Sequence, residues 1–139
     1  MSYASIDDLA ARYGTEELCH LTGRTPEQGP DIAAVERALA DAEAEVNSYL
    51  GTRYAVPLDP VPAIVRSITA DVARYKLSDD RPLDEVKARY SQAILRVMDI
   101  ASGKATLGAP WDSAAPSVAF ASTKRGADRT FSTDSLWDY

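Results

Sequence analysis

The sequence predicts an all-α fold: a bundle of five helices, two short and three long, followed by an extended C-terminal arm. Three observations predict it. Apolar residues recur at spacings of three and four through three long segments, the period of a helix with one buried face. Capping residues and glycines bound those segments. Beyond Gly103 the pattern changes, and from Gly108 a stretch rich in Ser, Thr, Ala and Asp takes over. The chain therefore divides into a helical bundle domain over residues 1–107 and an arm over residues 108–139.

Ser5 opens the first helix, because Ser5-Ile6-Asp7-Asp8 has the form of a capping box, with Leu9 on the buried face and Gly14 as the stop. Thr15 is the expected N-cap of the second, with Glu16 and Glu17 in the first turn, where the helix dipole favours acids. Leu18 and Leu21 face inward, Gly23 ends the helix, and residues 24–30 form a loop. From Asp31 to Leu50 the sequence is clearest: Ile32, Val35, Leu39, Ala42, Val46, Tyr49 and Leu50 form one continuous stripe. Asp31 can cap its start and Gly51 its end.

Residues 52–61 must be an irregular connector, since Pro57, Pro60 and Pro62 each disfavour a helical residue before them. Pro62 suits the first turn of a fourth helix, which runs to about Leu77 with Ile64, Val65, Ile68, Val72 and Tyr75 inward. Residues 78–82 break it. A fifth helix runs from about Leu83 to Ser102, closed by Gly103, and buries Val86, Tyr90, Ile94, Val97, Met98 and Ala101. Short connections make neighbouring helices antiparallel. Within the arm, residues 117–122 and 129–132 carry short alternations that could pair as a small β-hairpin.

At 139 residues the chain is one domain in size, with a core to match. No apolar run approaches the ~20 residues that cross a bilayer, and the N-terminus has neither the basic nor the apolar region of an export signal, so no membrane partner is expected. The lone Cys19 rules out an internal disulfide and fits a reducing cytoplasm. Charge is unevenly divided. Residues 1–51 hold 10 acids and 3 bases, a net of −7, residues 52–107 a net of +2, and the arm a net of −1. A negative whole argues against a simple nucleic-acid binder. Either solvated helix faces differ in sign by chance, or the acidic half of one subunit meets the basic half of the next, as in a head-to-tail ring.

No catalytic or cofactor constellation emerges. Cys19 and His20 are adjacent, and neighbours on a helix point about 100° apart, so they cannot form a dyad. One His and one Cys exclude the usual zinc ligand sets. Asp41 and Glu45, and the acids Asp79, Asp80, Asp84 and Glu85, read as solvated faces and first-turn charges. Phosphate-cradling glycine loops are absent. Lys124 and Arg125 with Arg129 make a short basic patch. The arm ends in large apolar side chains, Phe131, Leu136, Trp137 and Tyr139. A polar segment cannot offset its ordering entropy alone, and such aromatics are enriched where partners anchor. These four residues, with Arg129, are the expected partner-binding set.

Several motifs together resemble a family of Mu-like phage and prophage head-completion proteins. They are the opening Met1-Ser-Tyr-Ala-Ser-Ile-Asp-Asp-Leu-Ala-Ala-Arg-Tyr-Gly, then Glu17-Leu-Cys-His-Leu-Thr and Val35-Glu-Arg-Ala-Leu-Ala-Asp-Ala-Glu-Ala-Glu-Val. Tyr49-Leu-Gly-Thr-Arg-Tyr-Ala-Val-Pro-Leu, Asp71-Val-Ala-Arg-Tyr, Ile100-Ala-Ser-Gly-Lys and Phe131-Ser-Thr-Asp-Ser-Leu complete the set. The family looks like the helical head–tail connectors, or adaptors, of tailed phages. That resemblance implies a dodecameric ring of copies of the chain in the virion neck, assembled in the host cytoplasm. The ring would lie beneath the portal protein and dock stopper or tail-terminator proteins, with genomic DNA passing through its lumen and no sequence-specific binding. The alternative is a small helical regulatory or scaffold protein that binds a host or phage partner.

Overall fold

The computed structural model describes residues 2–78 and 81–111. Their secondary structure is five helices: α1 (Ile6–Tyr13), α2 (Thr15–Leu21), α3 (Ile32–Leu50), α4 (Ala63–Leu77) and α5 (Asp84–Ser102). No strand occurs among the described residues. The hairpin candidates of the arm lie outside them.

Local chemistry sets the boundaries. Ser5 and Asp8 make the reciprocal capping box at the start of α1. Gly14, at φ 90°, both ends α1 and occupies the N-cap position of α2. A side chain there would be strained, and the expected cap, Thr15, is already helical. Asp31 caps α3 by accepting from the Ala34 N–H. Pro62 sits one position outside α4 as its N-cap, not in the first turn. Gly103 ends α5 in the left-handed region, at φ 84°.

The three long helices form the body. α3 packs on α4, α4 on α5, and α3 more lightly on α5, while α1 and α2 pair and α1 lies across α3 and α4. The interior is filled by Leu39, Val46 and Leu50 of α3, Val65, Ile68 and Val72 of α4, and Val97 and Ile100 of α5, sealed by Leu9 and Leu18. The N-terminal segment and the connector also contribute. Tyr3 is buried, donates to Asn47 Oδ1 and accepts from the Leu58 N–H at 2.8 Å, so one side chain holds the connector against α3.

Three residues expected inward are not. Ile32 is 58 % exposed, Ile64 39 % and Met98 47 %. Ile32 and Ile64 lie in the first turns of their helices, beyond the neighbours that would cover them. Met98 stands on the flank of α5 away from α4. Tyr75, Tyr90, Ile94 and Ala101 are half-buried. α4, in contrast, is buried well beyond one stripe, since Asp71, Ala73 and Arg74 are covered as well. It is the central helix, with neighbours on three sides.

Leu39→Ala in the full chain should cost ~2–5 kcal/mol in urea unfolding. Ile32→Ala, two turns earlier in the same sequence stripe, should change stability by no more than about 0.5 kcal/mol. Equal losses at both positions would contradict the packing described.

Candidate functional site

Two polar clusters join the helices of this bundle, and each includes side chains of α4. In the first, Tyr13 of α1 donates to Asp71 Oδ1. One turn on, Arg74 lays its guanidinium over the Tyr13 ring, 4.5 Å from its centroid. The same guanidinium donates to Glu17 Oε1 of α2 from Nε at 2.8 Å and from Nη2 at 2.6 Å. Burial, then the hydrogen bond to Asp71, push the Tyr13 phenol far above its ordinary pKa. Arg12 adds a 2.7 Å bond to Ser67 Oγ on α4. These contacts fasten the α1–α2 pair to the bundle.

The second cluster joins the three long helices. Glu45 of α3 accepts from Tyr90 of α5 at 2.6 Å and pairs with Lys76 of α4 at 2.8 Å. The Tyr75 and Tyr90 rings stack beside it, centroids 4.0 Å apart and planes 14° from parallel. Burial opposes the Glu45 charge, but the hydrogen bonds from Lys76 and Tyr90 and the Lys76 charge outweigh it and hold the carboxyl below its usual range. Glu45 is therefore not part of a solvated face, as its spacing from Asp41 suggested. Asp41 is exposed, and Glu45 is turned inward because Lys76 and Tyr90 need an acceptor.

In both clusters the polar groups pair across helices. Asp71, Glu17 and Glu45 each accept from a donor on a neighbouring helix. Cys19 is buried and His20 is exposed, so the structure keeps them apart. Among the described residues no group of three His, Cys, Asp or Glu side chains is placed to hold a metal ion. No helix among them is long and apolar enough to cross a membrane. Asp84 and Glu85 are exposed in the first turn of α5, as their positions suggested, while Asp79 and Asp80 lie outside the described residues.

What the molecule offers is surface. α5 exposes Leu95 and Met98 on the side opposite its buried stripe, with Leu83 at its start. The outward side of α3 carries Ala40, Ala44 and Ser48 between acids. At the far end, Arg53 holds the last turn of α5 by donating to the Ile100 carbonyl at 3.1 Å. Trp111 donates to the Pro60 carbonyl at 3.1 Å and packs against the core, beside the α3–α4 connector. The expected partner-binding residues Arg129, Phe131, Leu136, Trp137 and Tyr139 lie outside the described residues.

A family model for bacteriophage Mu Gp36 matches residues 3–123. The chain belongs to that family. It is 35 % identical over 109 residues to "Gene product J" of Escherichia phage Mu, covering 78 % of this chain and 77 % of that protein. It is 36 % identical over 106 residues to "Mu-like prophage FluMu protein gp36" of Haemophilus influenzae, covering 76 % and 75 %. The matched span takes in both polar clusters and all five helices, whereas Arg129, Phe131, Leu136, Trp137 and Tyr139 lie beyond it. This makes the chain a Mu-like phage structural or morphogenesis protein.

Sequence reasoning missed Tyr3, Arg74 and Glu45 as the residues that lock the family member's bundle together. Asp71 and Arg74 were visible as opposite charges one turn apart on an otherwise apolar-striped helix, which is the one signal that could have found them. The Glu45 cluster predicts an acid dependence. Because its folded pKa is depressed, its contribution is whole above the ordinary carboxyl range near about pH 4.3 and is lost as pH falls through the lower folded value. Glu45→Gln should therefore show its widest stability gap from wild type at neutral pH, closing on acidification below about pH 4. Urea midpoints measured across that range check it, and a gap that stays constant would remove the charge from the account.

Proposed function

We propose that this chain is a structural subunit of the phage neck, a head–tail connector that forms a ring of copies beneath the portal and offers a docking surface to stopper or tail proteins. The observation that carries the reading is membership of the Mu Gp36 family over residues 3–123. The head-completion resemblance of the sequence motifs points the same way. The physical character of the molecule supports it. The interior polar groups are spent on holding helices together, and the exposed features are apolar and charged faces suited to protein contact. The acidic α1–α3 half suits a wall past which DNA slides, since negative charge repels phosphate.

The arm supplies the reach. Its 32 residues, extended at ~3.3–3.6 Å each, span on the order of 100 Å, enough to cross to a neighbouring subunit or up to the portal. In this reading Phe131, Leu136, Trp137 and Tyr139 bury against another chain, with Arg129 beside them. Contacts repeated around a ring then add through multivalency.

Deleting the gene should leave DNA-filled or leaking heads alongside separate, normal tails, seen by electron microscopy of lysates. Infectious particles of normal yield would overturn the connector role and favour a helical regulatory or scaffold protein. Removing residues 129–139 should leave the helix content and melting temperature of the isolated chain nearly unchanged while abolishing its incorporation into particles. An early melt would place the arm on its own core, and normal incorporation would make it dispensable.

A further inference from the structure

A groove of about 520 Å³ runs between the N-terminal segment with α1 and the first half of α3. Ala4, Ile6, Ile32 and Leu39 line it, and Ile32 stands exposed there. The charged residues of the lining are Asp7 and Glu36, both exposed and, among the described residues, without an ion pair. Glu43, two turns beyond Glu36 on α3, adds negative charge beside the Tyr3 phenol. The neighbouring bases are engaged elsewhere. Arg24 pairs with Asp31 at 3.8 Å, Arg37 donates to the Ala33 carbonyl at 3.3 Å, and Arg12 donates to Ser67 Oγ. Arg66 bears on Asp8, whose carboxylate accepts from the Ser5 backbone N–H. The rim is left acidic over an apolar floor.

We propose that residues 124–131 of a second copy of this chain occupy the groove, with Phe131 on Ile32 and the basic side chains along Asp7 and Glu36. Charge complementarity picks out this segment. Lys124-Arg-Gly-Ala-Asp-Arg-Thr-Phe holds three bases and one acid, whereas residues 108–123 and 132–139 hold three acids and no base. It is the one part of the arm that an acidic rim attracts. It also ends in a large aromatic side chain, and an apolar centre inside a charged edge is the usual seat of such an anchor. The length of chain suffices as well. Twelve residues, 112–123, separate the segment from Trp111, and extended at ~3.3–3.6 Å each they span about 40 Å. Groove and segment are different patches present on every copy, so the exchange repeats head to tail.

The inference rests on the reading that the arm binds another chain, and it names the surface that receives Arg129 and Phe131. Its test uses the purified full chain without phage, whereas the connector role is read from the gene deletion, so either can fail with the other intact. One preparation carries Cys19→Ala with Ser2→Cys at the groove, and another Cys19→Ala with Thr130→Cys. The two are mixed at high concentration with a short bis-maleimide. A mixed dimer, far more abundant than the dimer from either preparation alone, is the expected result, and monomer alone overturns it. Both cysteines in one chain should give a ladder of higher species. An internally linked monomer instead overturns the proposal by placing the segment on its own bundle. Asp7→Lys with Glu36→Lys should abolish the link with helix content retained, and Lys124→Glu, Arg125→Glu and Arg129→Glu in the other copy should restore it. A link that survives the first change, or that the second fails to restore, also overturns the proposal.

Discussion

Because α4 lies between α3, α5 and the α1–α2 pair, nine of its positions are buried, including Asp71 and Arg74. A charge in that position cannot turn to solvent, and leaving it unpaired would cost several kcal/mol. The rest of the arrangement answers that constraint. Tyr13 and Glu17 supply the missing partners, which obliges α1 and α2 to fold back across α4 instead of extending from the bundle. The short helices are held by this pairing as much as by Leu9 and Leu18, since neither is long enough to be stable alone.

The same logic explains which parts of the fold could be read from the sequence. Helical periodicity reports a single buried face, so it located α3 and α5 and most of their core, from Val35 to Leu50 and from Val86 to Val97. It could not report a helix covered on three sides, and Asp71 and Arg74 look like ordinary polar positions until the third neighbour is known. Ile32, Ile64 and Met98 fail for the opposite reason. Each continues a stripe in sequence but extends past the surface that would bury it. Tyr3 lies before any periodic segment, and its burial depends on Asn47 and Leu58, more than forty positions away. Of the candidate surfaces, the division of charge was visible in the sequence, while the exposed face of Leu95 and Met98 was not, because a stripe read alone does not reveal which side is left uncovered.

Membership of the Mu Gp36 family and the molecule's internal chemistry bear on different levels of the argument. The family says what kind of particle the chain serves. The structure says what it can contribute there, a body whose polar groups are used in cohesion and whose outer faces differ in charge and texture. The proposed ring needs surfaces that meet a different patch on the partner, not their own image.

A contact of that kind closes into a ring only if the rotation between the two faces divides the circle evenly, and otherwise it winds into an open filament. In a ring of this chain that rotation would follow from the angles between its helices, α3 and α5 among them. Those helices touch each other lightly, so their angle is set through α4. The elements that set it are the Glu45 contacts to Lys76 and Tyr90 and the Tyr75–Tyr90 stack, which bind all three helices at one level. A purely apolar seam would tolerate sliding and rotation at modest cost, whereas hydrogen bonds to a shared carboxylate are directional. The half-buried cluster thus has a consequence beyond stability: it fixes the geometry on which the number of subunits in a closed assembly would depend.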